Sequence, residues 1–164
     1  MKLIVFIIHL FLYPIITNGQ CEDISFLIQL FNENLEKQDQ MLDTKGFTIN
    51  QDNGYQFGMD WVNIKYNQYI SIRRNESNTV DRVQYRLLGS SECYNDLKNK
   101  LPIIGFKKQY ETIGSYSTFY FFYKSENFGV ILSKWKAPDS YVGNFYSIEI
   151  HNLESYYMEL EKRK

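Results

Sequence analysis

A chain of 164 residues with 18 basic and 19 acidic side chains has a formal net charge of −1, so nothing in its overall charge draws it to nucleic acid or to an anionic membrane. The length fits one domain with a real core. Its 14 Tyr, 12 Phe and 2 Trp make it 17% aromatic, a bias that favours sheet and supplies rigid contact area to binding faces.

Met1-Lys2 is a short basic start, and residues 3–16 are apolar apart from His9 and Pro14. Small residues follow at Thr17-Asn18-Gly19. This is the layout of a secretory signal peptide over residues 1–20, cut after Gly19 or Gln20. The apolar run is shorter than the ~20 residues that a membrane helix needs. An uncleaved N-terminal anchor is the alternative. The expected location is therefore secreted, periplasmic or in the cell envelope. Lys2 is the only charge that leaves with the signal, so 17 basic residues would face 19 acidic ones.

Two cysteines remain, Cys21 and Cys93. In an oxidising compartment an even pair reads first as one disulfide, which contributes roughly 3–4 kcal/mol in the chain-entropy model. Cys21 also stands where a bacterial lipoprotein carries its lipid, although Gln20 before it is not the small residue usual there. Free thiols are the third possibility. In a chain cut after residue 19 or 20, lipidation of Cys21 would be the one route to a membrane.

The first predicted helix covers residues 23–44. Ile24, Leu27, Ile28, Phe31, Leu35 and Leu42 share one face, Asp23 can cap its start, and Gly46 can end it. Strands are expected at 47–51, 55–64, 69–74 and 80–88, with Asp52-Asn53-Gly54 as the first turn. Tyr55, Phe57, Met59 and Trp61 alternate with smaller or polar residues. A second helix is expected at 91–101, carrying Tyr94, Leu97 and Leu101 and ended by Pro102. Four more strands follow at 106–112, 115–124, 128–136 and 144–151, with Ala137-Pro138-Asp139-Ser140 as a breaker before the last. A short helix at 153–162, mixed in charge and read as solvated, closes the chain.

The pattern Leu42-x-x-x-Gly46-Phe47 recurs as Leu101-x-x-x-Gly105-Phe106, an offset of 59. Each copy lies between a helix and a run of strands. The expected fold is therefore α+β: one domain over 21–164 made of two αββββ repeats, 21–89 and 90–152, plus the closing helix. The repeat helices would cover one face of an antiparallel sheet. This layout resembles the tandem helix-plus-sheet architecture of the β-lactamase inhibitory protein family. The resemblance is one of architecture and carries over no contact residue.

The chain has no HExxH, GxSxG or phosphate-loop pattern, and no metal-ligand spacing, so no cofactor is expected. Beyond residue 20 the only histidine is His151, read as a surface residue at a strand end. Asn75-Glu76-Ser77 is a glycosylation sequon on a turn. Arg73, Arg74, Arg82 and Arg86 form a basic cluster on neighbouring strands.

Alternation assigns the faces. If Ile70, Ile72, Val83, Tyr85 and Leu87 face the helices, then Tyr69, Arg73, Arg82 and Arg86 face outward. If Phe119, Phe121 and Tyr123 face inward, Tyr120 and Phe122 face outward, while Trp135 fits either face. Tyr, Trp and Arg are the residue types that anchor interfaces. Tyr69, Arg73, Arg86, Tyr120 and Trp135 are thus the expected partner-binding set. The expected function is that of a secreted or periplasmic, non-catalytic protein-binding module of the inhibitor or immunity type, with another protein and no nucleic acid as partner. The alternatives are an envelope lipoprotein with a structural or assembly role, anchored through Cys21, and a secreted hydrolase whose paired carboxylates share one pocket.

Overall fold

The computed structural model describes residues 21–50, 58–135 and 144–164. The predicted signal peptide, the turn at 52–54 and the breaker at 137–140 lie outside these residues. In chain order the elements are α1 (Ile24–Asn32), α2 (Leu35–Thr44), β1 (Thr48–Ile49), β2 (Gly58–Asn63), β3 (Gln68–Arg74), β4 (Val80–Leu88), α3 (Ser91–Ile103), β5 (Lys107–Ile113), β6 (Thr118–Lys124), β7 (Phe128–Trp135), β8 (Phe145–Asn152) and α4 (Leu153–Lys162). The strands form one antiparallel sheet in the order β1-β2-β3-β4-β8-β7-β6-β5. The class is α+β, as expected.

The single helix expected over 23–44 is two. Glu33 is extended, and Asn34 caps a fresh start by accepting from the Lys37 amide at 3.0 Å. Asn prefers a cap to a helix interior because its side chain competes for backbone groups. Gln38 then bridges the break: its amide nitrogen donates to the Leu30 carbonyl at 2.6 Å, and its oxygen accepts from Arg74 on β3 at 2.8 Å. Pro102 does not end α3 but sits in its last turn. Residues 115–117 form a 3-10 turn rather than strand, with Tyr116 and Ser117 at positive φ.

Both helix-to-strand passages close in the same way. Gly46 has φ +77° and Gly105 φ +92°, a region that glycine enters without a Cβ penalty. Phe47 donates to the Leu42 carbonyl, and Phe106 to the Leu101 carbonyl, each at 3.0 Å. The two Gly amides bond to Asp43 and Pro102 at 2.9 and 3.2 Å. This is the Schellman closure, with its Leu and Phe both buried.

Helices α1, α2 and α3 cover one face, called inner here. Ile24, Leu27 and Leu30 of α1, together with Tyr94, Leu97 and Leu101 of α3, pack on the inner residues of the central strands, among them Ile72, Tyr85 and Ile148. The Trp61 indole, 1% exposed, donates to Asp39 of α2 at 3.1 Å. Cys21 and Cys93 form a disulfide, with Cα atoms 5.4 Å apart, which ties the start of α1 to α3. A Cys21 sulfur held in this bond cannot also form a thioether to a lipid.

Helix α4 packs on the opposite, outer face. Its Tyr156 and Leu160 close a smaller core over Phe122 of β6 and Ile131 of β7. The closing helix is therefore an anchored element and not a solvated one. Gly129 makes room for it, because a Cβ there would lie 2.1 Å from the Tyr156 ring.

Candidate binding face

Strand register places all five expected partner-binding residues on the outer face. Tyr69 pairs with Arg86, Arg86 with Ser147, Ser147 with Ser133, and Ser133 with Tyr120. These pairs run as one rung across five strands. The neighbouring outer rung runs Leu88–Phe145–Trp135. Trp135, which the sequence left between faces, is thereby assigned outward, and its ring packs on Phe145 with centroids 4.8 Å apart.

The two rungs enclose a cleft of about 320 Å³, walled by Tyr69, Arg86, Leu88, Trp135 and Phe145. Ser133 and Ser147 line it as well. The cause is side-chain size: two small serines face each other in a row whose other members are Arg and Tyr, so the surface dips there. Arg86 borders the dip, its guanidinium 5.7 Å from the Tyr69 ring centre and 3.8 Å from Asp60. The cleft thus gathers Tyr69, Arg86 and Trp135. Tyr120 lies one strand beyond Ser133, beneath the Arg163 guanidinium at 4.5 Å. Arg73 stands apart toward the far end of β3, directly opposite Arg82 and exposed.

Ser133, Ser147, Leu88 and Phe145 were not singled out from the sequence. Alternation marks each as outward, but only the β4–β8 and β7–β8 registers bring them together.

A second constellation lies beside the cleft and under α4. His151 is 1% exposed, so its reading as a surface residue is wrong; the first turn of α4 covers it. Its Nδ1 is 3.0 Å from the Ser155 hydroxyl and its Nε2 is 3.2 Å from the Glu149 carboxylate. Gln84 donates to Ser147 at 3.1 Å and to Glu149 at 3.4 Å, while Arg82 lies 3.7 Å from Glu149. Burial works to raise the Glu149 carboxyl, but the His151 ring and the Arg82 and Arg163 guanidinia outweigh it and hold it below the ordinary carboxylate value. A Ser, a His and a Glu in line evoke a nucleophilic triad. Here the imidazole is 1% exposed beneath α4, and the Ser155 amide donates to the Asn152 side-chain oxygen at 2.8 Å. The arrangement pins the first turn of α4 to the end of β8.

The other buried carboxylates also meet basic groups: Glu22 lies 3.0 Å from Lys45, and Asp60 meets Arg86 as above. Among the described residues, no three His, Cys, Asp or Glu side chains gather to hold a metal, and no helix is long and apolar enough to cross a membrane. The sequon Asn75 is exposed at the β3–β4 turn, its side-chain oxygen accepting from the Ser77 and Thr79 amides.

No protein-family model, curated protein or solved structure matches this chain.

Proposed function

We propose that this chain is a secreted or periplasmic protein-binding module that caps another protein with its outer sheet face, as an inhibitor or immunity factor does, without chemistry of its own. One observation carries the reading: an aromatic cleft bordered by Arg86 opens on the outer face beside three strands, β2 to β4, whose outer side chains are mostly polar or charged. Large rings with Arg at the rim of a pocket are the make-up of an interface anchor. The disulfide supports an oxidising compartment, in line with the signal-like residues 1–20.

We also infer that 21–89 and 90–152 are one αββββ unit used twice. The supports are the matching Gly46 and Gly105 closures and a strand order symmetric about the β4–β8 pair.

The test is site-specific photo-cross-linking in the cells that export the protein. A benzophenone side chain at position 71, on the outer face of β3, should capture one discrete protein. The same group at position 36, exposed on α2, should not. Capture from position 36 alone overturns the reading, as does turnover of a substrate at the outer face. With the captured partner in hand, alanine at one or more of Tyr69, Arg73, Arg86, Tyr120 and Trp135 should weaken binding about thirtyfold, the loss expected of a buried anchor.

A further inference from the structure

We infer that the cleft receives a single apolar side chain from an extended segment of the partner protein, and that acidic residues about four positions along that segment reach Arg73 and Arg82. This rests on the protein-binding reading above and specifies what the partner must present.

The cleft calls for an apolar side chain. Leu88, Phe145 and Trp135 form one wall and the Tyr69 ring another, so an entering hydrocarbon or aromatic group leaves water on several sides at once. At about 320 Å³ the cleft is near the lower end of ligand-pocket sizes. It suits one side chain better than a folded element.

The charged half lies along the same two strands. Arg82 is four residues before Arg86 on β4, a rise of about 13 Å at roughly 3.3 Å per residue. Arg73 is directly opposite Arg82 in the β3–β4 ladder, and like charges placed so repel. Arg82 spends part of its charge on Glu149 at 3.7 Å, but among the described residues no ion pair engages Arg73. Among the described residues, the outer ends of β3 and β4 therefore present a positive charge that no ion pair offsets at Arg73 and that Glu149 offsets in part at Arg82. An anion set between the two guanidinia would relieve their repulsion. An extended chain anchored in the cleft and running along β4 places its fourth following residue there, so a carboxylate at that position meets complementary charge.

Three synthetic peptides test this on the full secreted protein, with backbone amide chemical shifts as the readout. They are acetyl-Phe-Ser-Asp-Ser-Asp-amide, its Lys counterpart in place of both Asp, and its Ala counterpart in place of Phe. The Phe/Asp peptide should shift the Ser133, Ser147 and Leu88 amides and bind about tenfold more tightly than either control. Ser147→Leu, which fills the cleft from an outward strand position, should abolish those shifts while the melting temperature holds. Arg73→Gln should cost about threefold for the Asp peptide and nothing for the Lys one.

Equal binding of the Asp and Lys peptides overturns the inference, as does equal binding of the Phe and Ala peptides. So do cleft shifts that grow with protein concentration alone, which would make a second copy of the chain the occupant. If the peptides fail but cross-linking from position 71 still captures a partner, the outer-face reading stands and only the cleft anchor is lost. If capture comes only from position 36, the outer-face reading falls with it.

Discussion

On β7, Gly129 and Ile131 face outward and lie under Tyr156 of α4, whereas on β3, Ser71 and Arg73 face outward with no helix over them among the described residues. The same face of one sheet is thus covered in one half and open in the other. The side chains account for the difference. Phe122 and Ile131 point outward from adjacent strands, and left in water they would form an apolar patch. The first half points Ser71, Arg73, Gln84 and Arg86 outward, polar and charged groups that give a helix little apolar surface to cover. A single closing helix therefore has one place to dock, and docking there leaves β2 to β4 available. The cleft lies where the two regimes meet, its aromatic wall on β7 and β8 and its Tyr–Arg wall on β3 and β4.

If α4 is held by burial over the second half, the largest effect should come from Tyr156→Ala. Loss of a fully buried aromatic costs about 4 kcal/mol, to be read as a lower midpoint in urea denaturation. A loss under 1 kcal/mol would mean that α4 is not fastened there. Gly129→Ala should come next, at about 3 kcal/mol, because the new methyl would overlap the Tyr156 ring and either the helix or the strand must give. Measured against it, Ser71→Ala on the open half should stay within about 0.5 kcal/mol.

The polar fastening of α4 should show in the pH dependence. Glu149 is held below the ordinary carboxylate value of 4.5, so its carboxylate is favoured more in the folded state than in the unfolded one. That stabilisation is fully present above about pH 4.5 and is lost as pH falls through the lower folded value. Glu149→Gln should cost about 2 kcal/mol at neutral pH, the scale of a hydrogen bond to a charged group. It should also flatten the fall in stability on acidification. An unchanged acid limb would show that Glu149 is not the group that titrates. At the alkaline end, burial pushes the Tyr156 hydroxyl up to about 12, so its share of stability persists to pH 10 and fades as pH climbs toward that value.

The contrast between halves was partly legible in the sequence. Strand alternation separated Ile70, Ile72, Val83 and Leu87 from Tyr69, Arg73 and Arg86, because a period of two is a local property. The glycine closures were legible for the same reason: positive φ at Gly46 and Gly105 is decided within one helical turn. The break at Glu33–Asn34 was hidden, since apolar spacing carries across it and only the Asn34 cap and the reach of Gln38 reveal it. The cleft was hidden more deeply. Ser147 meets Arg86 and Ser133 only through pairings between strands far apart in the chain, and no local period encodes that register. The burial of His151 was missed likewise, because mixed charge over 153–162 conceals the Tyr156–Leu160 stripe that seats the helix.

Arg73→Ala should have the smallest effect on stability, and it is the most discriminating change. Beneath α4 an outward substitution, as at Gly129, Phe122 or Ile131, disturbs a packed helix. On the open half Arg73 is exposed and faces Arg82 directly, so its removal deletes a like-charge opposition and little else. The expected change is zero to a gain of about 0.5 kcal/mol in low salt. Because the opposing groups are partly exposed, the gain should shrink as ionic strength rises and the Debye length falls to about 3 Å near 1 M salt. Urea midpoints at low and high salt would measure it. A loss above 1 kcal/mol would mean that Arg73 is held by contacts of the fold and is not available to a partner. A salt-sensitive gain in stability, joined to weaker binding of the captured partner, would mark a charge that the fold tolerates at a cost and that acts in recognition.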